Sequence, residues 1–304
     1  MPRPAPSPAV APLRNLPRWL IAAAFAVGGL WPVYEIFRLA MGSQVGPSEA
    51  ALALAVAFGL LFVARWDVVP YVLRAVCAAV VIFASFRLAG GPAAALAAAV
   101  IIITHLVLHR PPAAPALEIA FPLRAGSYFI ASAGRWRLTN GHVSSAAQRY
   151  ALDITRLNGA AARAWGLYPA RHSAYRIFGA PVNAPYEGRV EEAVDGFPDL
   201  PIGERGFVVP GGNYVILRVP GDIQIKLSHF QRGSLAVKSG DFVAAGEFLG
   251  RVGNSGNTSE PHLHVHAQRP SHTPGEPATP VPLRFTGRWL IRNDIFYAPR
   301  QSQP

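Results

Sequence analysis

The chain has 304 residues, is 51% hydrophobic and 15% charged, and carries a formal net charge of +11. Its basic residues are spread over both halves without a dense Lys/Arg stripe, so a nucleic-acid partner is not expected. The one cysteine, Cys77, excludes an intrachain disulfide and a thiolate zinc site, so any metal must be held by His, Asp or Glu.

The first half contains four apolar segments. Each has 17–19 residues, near the minimum that crosses a hydrocarbon core of ~30 Å, and none has a polar face. We therefore predict an α-helical membrane region of three or four transmembrane helices over residues 19–108, after a cytoplasmic or disordered N-terminus over 1–18. Buried helices of a soluble domain are the less favoured alternative, and a cleavable signal peptide is not expected. The segments cover residues 19–37, 50–66, 68–86 and 92–108.

The orientation of this membrane region follows less directly from the sequence. Arg3, Arg14 and Arg18 precede the first segment and favour a cytoplasmic N-terminus. Four crossings would then return the second half of the chain to the cytoplasm. Three crossings, or one re-entrant segment, would place it outside.

The second half has the composition of a folded, β-rich domain. Its prolines predict that residues 109–126 form an extended linker. Alternating stretches such as "NYVILRV" and "DIQIKLSHF", separated by Gly/Pro clusters, predict strands. We expect a mainly-β domain over residues 127–298 and a disordered tail over 299–304.

Seven of the nine histidines lie in this predicted domain. The stretch "EPHLHVHAQ" places His262, His264 and His266 at every second position, so a strand presents all three on one face. In "DIQIKLSHF" the same alternation puts His229 on the face of Leu227, at the end of an apolar stripe.

A third stretch, "NGHVSSAAQRYALDI", adds His142 and Asp153. Histidine and aspartate suit zinc, and catalytic zinc sites use three protein ligands and leave a position for water. Two further histidines could move protons or stabilise an oxyanion. Each signal alone is weak, because an isolated histidine is more often structural, but together they indicate a metal site.

These stretches resemble the lysostaphin-like (LytM-type) zinc metalloendopeptidases. The similarity is carried by "APVNAPYEGRVEEAVDG", by "LSHF" and by "VKSGDFVAAGEFLGRVGNSGNTSEPHLHVH", within residues 140–268. The resemblance implies an open antiparallel β-sheet or sandwich around a groove that holds one Zn²⁺. It also implies hydrolysis of peptide bonds in the cross-links or stems of bacterial peptidoglycan.

The resemblance also implies roles for individual residues. His264 resembles the zinc-ligand histidine of the family's Pro-His-Leu-His motif, and Asp153 resembles the aspartate ligand. His262 and His229 resemble the two catalytic histidines.

The first zinc ligand is where the sequence departs from the family pattern. The family usually has His four residues before the aspartate, and this chain has Arg149 there, which cannot ligate zinc. His142 is our predicted replacement, with His172 or His266 as alternatives. A shifted assignment, with His264 catalytic and His266 as the ligand, is also open. His266 could instead contact a ligand residue from behind or lie on the substrate side.

These implications lead to a membrane-anchored zinc endopeptidase in the bacterial inner (cytoplasmic) membrane. Its multi-pass anchor would contact lipid, and its peptidase domain would face the periplasm or exterior, where the peptidoglycan substrate lies. The alternative is an inactive relative that binds the cell wall or regulates an amidase. A lipoyl- or biotinyl-carrier hairpin is disfavoured, because the turn "GNSGN" lacks a modifiable lysine.

Overall fold

The computed structural model describes residues 103–299, and strands dominate this part of the chain. Residues 103–109 are helical, and two 3₁₀ helices span Gly141–Ser144 and His172–Ala174. The predicted mainly-β domain is therefore confirmed. The strands are β1 (Leu117–Ile119), β2 (Gly126–Ser132), β3 (Leu152–Arg156), β4 (Pro181–Asn183), β5 (Gly188–Val194), β6 (Asn213–Val219), β7 (Ile223–Phe230), β8 (Phe242–Val243), β9 (Phe248–Arg251), β10 (Leu263–Arg269), β11 (Thr279–Val281), β12 (Leu283–Phe285) and β13 (Ile295–Ala298).

Most of the predicted membrane region lies outside the described residues, as does the tail from residue 300. Within residues 103–299, no helix is long and apolar enough to cross a bilayer. The number of crossings and the side on which the chain begins stay predictions.

Nine strands form one sheet in which every pairing is antiparallel. The strand order is β13-β2-β3-β10-β7-β6-β5-β8, and β11 pairs with the end of β10 that extends beyond β3. Two small pairs flank this sheet: β4 with β9, antiparallel, and β1 with β12, parallel. This agrees with the expected open antiparallel architecture.

The segment predicted as a linker contains a strand. Leu117 donates its backbone N–H to the carbonyl of Pro282 at 2.8 Å, and Ile119 is buried in the main core. The prolines around this segment stop a helix, but they do not stop a short apolar triplet from pairing with β12. Residues 283–298 supply β12 and β13.

Strand alternation sorts the core from the functional face. On β10, Leu263 and Val265 are fully buried in the core, so His264 and His266 point to the opposite face. On β3, Leu152 and Ile154 join the same core, and the Asp153 that separates them points away from it. The sheet thus has one apolar face and one face that carries the titratable groups.

The position of His229 differs from the sequence expectation. His229 has a positive φ of 68°, and the β6–β7 register skips it, passing from Tyr214↔Ser228 to Asn213↔Phe230. This extra residue is a β-bulge, and it makes Phe230, not His229, continue the buried stripe of Leu227. The expectation that His229 lies on the apolar face was therefore wrong: the bulge turns its ring towards the other histidines.

Candidate metal centre

Three of the sequence-predicted site residues converge on one carboxylate. His142 Nε2 lies 2.9 Å from Asp153 Oδ2, and His264 Nδ1 lies 2.9 Å from Asp153 Oδ1. The ligand atoms of all three residues are within 4.8 Å of one another. This is the predicted set of metal ligands, brought together from positions that are 111 residues apart for Asp153 and His264.

Strand register places two members of this group. Asp153 on β3 and His264 on β10 are direct partners in the antiparallel pairing, so their side chains leave the same face of the sheet side by side. On the other side of β10, His264 faces Ser228 of β7. The sheet therefore fixes the backbone positions from which both side chains start.

His142 reaches the carboxylate from a loop. It lies in the 3₁₀ helix Gly141–Ser144, whose N-cap is Asn140; the Asn140 side-chain oxygen accepts the His142 backbone N–H at 2.9 Å. Asn140 is fully buried, and its amide nitrogen donates to the carbonyls of Gly134, Arg149 and Ala151. The role of Asn140 was not predicted from the sequence; the available signal was an asparagine directly before Gly141–Ser144, since Asn is a preferred N-cap residue.

The surroundings of Asp153 favour its ionised form. Burial raises the pKa of Asp153, but the charges of His142 and His262 and the hydrogen bonds from His142 and His264 outweigh it, so this pKa lies well below its ordinary value. Burial lowers the pKa of His142, and the charge and hydrogen bond of Asp153 overcome this and raise it. Burial dominates at His264 and lowers its pKa.

The donor set fits zinc. Two imidazole nitrogens and one carboxylate oxygen match the ligand types and the count of three that catalytic zinc sites use. Zinc–ligand bonds of about 2.0–2.1 Å in a tetrahedron require ligand atoms about 3.4 Å apart, so small rotations of these side chains suffice. The low pKa of Asp153 supports the fit, because a ligating carboxylate must be ionised.

His229 and His262 lie beside this group, with their rings 4.7 Å apart. His229 Nδ1–H donates to the carbonyl of Ser255 at 2.8 Å, and His262 Nδ1–H donates to the carbonyl of Glu260 at 2.9 Å. In both rings Nε2 is therefore the nitrogen that faces the site, and His262 Nε2 is 3.5 Å from Asp153 Oδ1. Burial lowers the pKa of His229 well below its ordinary value, so its Nε2 is a neutral acceptor.

The Gly-rich turn before β10 anchors both rings. Gly256 has a positive φ of 81°, and a Cβ there would collide with the backbone of Gly212. This close approach holds Ser255, whose hydroxyl donates to the Phe230 carbonyl at 2.8 Å while its own carbonyl accepts from His229. A glycine is therefore needed at position 256, because a side chain there would displace the turn whose Ser255 carbonyl orients His229.

A buried ion pair holds the turn from the other side. Arg163 contacts Glu260 at 2.8 Å, and both side chains are 4% exposed. The Glu260 carbonyl is the acceptor for His262 Nδ1–H, so the pair fixes the backbone that orients this ring. Sequence analysis did not single out either residue, since they are 97 positions apart and no local pattern links them.

The other residues considered as the first ligand do not contact the Asp153 carboxylate. Arg149 is exposed, and His172 stacks on Phe178 while its Nε2–H donates to the carbonyl of Leu200 at 2.8 Å. His266 is 3% exposed and contacts His264, but it is His264 whose nitrogen meets Asp153. This arrangement favours His264 over His266 as the ligand.

These residues lie partly inside a match to a known family. The family model described as peptidase family M23 matches residues 173–277, so this part of the chain is similar to that family. His229, His262 and His264 lie inside the match, whereas His142 and Asp153 precede it. No curated protein matches the chain.

Several of the solved structures with similarity to this chain are peptidases of low sequence identity. The catalytic domain of the prophage-encoded M23 protein EnpA from Enterococcus faecalis is 21% identical, with a TM-score of 0.28 over 42% of this chain and 72% of that one. A putative peptidase M23 from Pseudomonas aeruginosa is 19% identical, with a TM-score of 0.30 over 56% and 54%. The antimicrobial peptidase lysostaphin from Staphylococcus simulans is 24% identical, with a TM-score of 0.26 over 43% and 41%. The chain thus spans about half or less of the last two proteins.

Proposed function

We propose that this chain is a membrane-anchored zinc metalloendopeptidase that hydrolyses peptide bonds of bacterial peptidoglycan. The observation that carries the proposal is the convergence of His142, Asp153 and His264 within 4.8 Å. His229 and His262 lie directly beside this group. Three ligands with two adjacent imidazoles are the components that metal-assisted hydrolysis requires.

The three ligands would hold zinc through His142 Nε2, the Asp153 carboxylate and His264 Nδ1. When bound, zinc supplies Lewis-acid polarisation of the scissile carbonyl and lowers the pKa of a bound water. The chain's own contribution is the placement of two proton-transfer groups. His229 and His262 keep Nδ1–H engaged with backbone carbonyls, so each ring has a fixed tautomer and presents Nε2 to the reacting atoms.

The lone pair on Nε2 can accept a proton from the attacking water. The resulting imidazolium can donate a hydrogen bond to the developing oxyanion or return the proton to the departing amine. Because burial lowers the pKa of His229, it is neutral and competent as a base at neutral pH. Two such rings, with centroids 4.7 Å apart, can divide the base and acid roles between two positions.

Peptidoglycan as the substrate and the outward-facing location are parts of this proposal. The substrate is supported by the M23 match and by the motif resemblance. The anchor is supported by the apolar segments over residues 19–108, and peptidoglycan lies outside the cytoplasmic membrane. A reporter enzyme fused after Arg124 should be active outside the cytoplasm; a cytoplasmic reporter would contradict the substrate assignment.

One observation favours an inactive, wall-binding relative as the second candidate. Arg149 occupies the position where the family usually has a ligand, and it is exposed. In that case the chain would bind peptidoglycan without cleaving it. The first proposal has the stronger support, because His142 provides a third donor at 2.9 Å from Asp153.

The test is digestion of purified peptidoglycan by the zinc-loaded full chain. We expect new free amino groups and shortened or uncross-linked peptides by mass spectrometry, without new reducing sugar ends. His264→Ala should abolish this release. His272→Ala is the matched control, because His272 is an exposed histidine paired with Asp222 on the surface. Binding without release by a chain that has taken up zinc would favour the second candidate.

A further inference from the structure

His266 occupies a position that neither the M23 match nor the three-ligand set explains. It is 3% exposed, and its Nδ1 lies 3.0 Å from Nε2 of His264. The two rings are nearly perpendicular, at 72°, with centroids 5.2 Å apart. His264 therefore has a specific partner at each nitrogen: Asp153 at Nδ1 and His266 at Nε2.

A neutral imidazole that ligates a metal through Nδ1 must carry its proton on Nε2. At His264 this N–H is buried, and a buried donor without an acceptor is costly. His266 Nδ1 lies within hydrogen-bond distance of this nitrogen. Acceptors of this kind fix the orientation and the tautomer of ligating histidines.

The backbone holds His266 in this position. His266 on β10 pairs with Lys226 on β7, and the next residue, Ala267, pairs with both Ile225 on β7 and Val281 on β11. A residue at this point of β10 is thus hydrogen-bonded into the sheet from both sides. Its side chain can leave His264 only by changing rotamer within a buried site.

We propose that His266 is a positioning residue that orients His264 as a ligand through its Nε2–H. The proposal rests on the zinc site of the proposed function, but it does not depend on peptidase activity. In the zinc-loaded chain His264 Nε2–H donates to His266 Nδ1, and His266 carries its own proton on Nε2.

Loading reverses the direction of this hydrogen bond. Without a metal, the ionised Asp153 would accept His264 Nδ1–H, which would leave His264 Nε2 as the acceptor and His266 Nδ1–H as the donor. With His264 Nδ1 used as a zinc ligand, the His264 proton would be on Nε2, and the His266 proton would be on its own Nε2. Both rings begin and end neutral, so the pair exchanges tautomers with no net release of protons.

The first test compares zinc affinities of full-chain variants by competition with a chromophoric chelator. His266→Leu removes the acceptor, and we expect affinity about 10–100-fold below wild type. His266→Asn places an amide oxygen close to the Nδ1 position and should retain most of the affinity. His272→Ala, at the exposed surface histidine, should match wild type.

Two outcomes of this comparison would overturn the proposal. One is wild-type affinity in a folded His266→Leu chain, which would show that the acceptor is not needed. The other is an equal loss in His266→Asn and His266→Leu, which would show that the hydrogen bond is not what matters. Circular dichroism and thermal unfolding of the metal-free variants identify a folding defect.

The second test uses the wild-type chain and remains decisive if His266→Leu does not fold. Long-range ¹H–¹⁵N spectra report which imidazole nitrogen carries the proton. We expect His264 to change from Nδ1–H to Nε2–H on zinc addition, and His266 to change in the same sense. Zinc bound through His264 Nε2, or an unchanged His266, would overturn the proposal. An inactive peptidase with both expected changes would refute only the peptidase function.

Discussion

His142→Ala is the substitution that tests the candidate metal centre most directly. It removes the donor that lies 2.9 Å from Asp153 Oδ2 and leaves Asp153 and His264 in place. Four-ligand structural zinc sites bind with roughly 10–16 kcal/mol, or about 3 kcal/mol per ligand. Because about 1.4 kcal/mol corresponds to a factor of ten, one lost ligand weakens zinc binding about 100-fold.

The surroundings of His142 set the 100-fold figure as an upper limit and indicate that His142→Ala folds. The side chain is 26% exposed, so water can take the ligand position and the effect should fall at or below this size. None of the residues of its 3₁₀ helix is buried, and truncation creates no core cavity. The lost hydrogen bond to Asp153 should cost the metal-free chain about 1–2 kcal/mol at most.

The assay is chelator competition at neutral pH, with His172→Ala measured in parallel. His172 is the other upstream candidate, but its Nε2–H donates to the Leu200 carbonyl, so His172→Ala should bind zinc as wild type does. Wild-type affinity in His142→Ala, together with lost affinity in His172→Ala, would refute the assignment of the first ligand. Equal losses in both would point to a general defect, which unfolding curves would reveal.

Three further predictions concern the same site. His229→Ala and His262→Ala should each keep zinc and lose turnover, and loss of metal from His229→Ala would contradict its role. Arg163→Ala removes the buried cation that pairs with Glu260 and should cost about 3–5 kcal/mol in urea unfolding. A loss below about 1 kcal/mol would contradict this reasoning, because it is the size expected of an exposed ion pair. The free energy of unfolding of the metal-free chain should fall as pH drops below about 6.5, because three histidines bind protons more readily in the unfolded chain than in the folded one. His142, whose pKa is raised in the folded chain, opposes this trend. A free energy of unfolding that rises between pH 7 and 5 would contradict the prediction. The three are His229, His264 and His266, whose pKa values burial lowers.

The alternation of short strands made much of the fold predictable from the sequence. On β10, a period of two in "HLHVHAQ" separates Leu263 and Val265 from the histidines, and the structure follows it. The same rule predicted β7 as a strand but misplaced His229. A β-bulge depends on backbone dihedrals and on the partner strand, so a hydrophobic pattern does not reveal it.

The supports of the candidate site were harder to predict. Asn140 acts through the carbonyls of a loop, and Arg163 meets Glu260 across 97 positions. Neither arrangement leaves a repeating pattern in the sequence, because the tertiary fold determines loop contacts and long-range pairs. The proximity of His142 to Asp153 could be expected only through the motif resemblance; the composition of the intervening residues does not predict it.

The bulge on β7 couples two sequence neighbours, His229 at the candidate site and Phe230 in the hydrophobic core. His229 can face the reacting groups only while Phe230 remains anchored in the core, since both orientations follow from one backbone turn at φ 68°. A smaller side chain at Phe230 would therefore disturb the proposed catalytic role of His229 from inside the hydrophobic core, without contacting substrate. Deletion of a single residue here would reverse the alternation of the strand and put the Phe230 ring where the His229 imidazole now lies. The packing of Phe230 and the orientation of His229 thus depend on the same peptide unit.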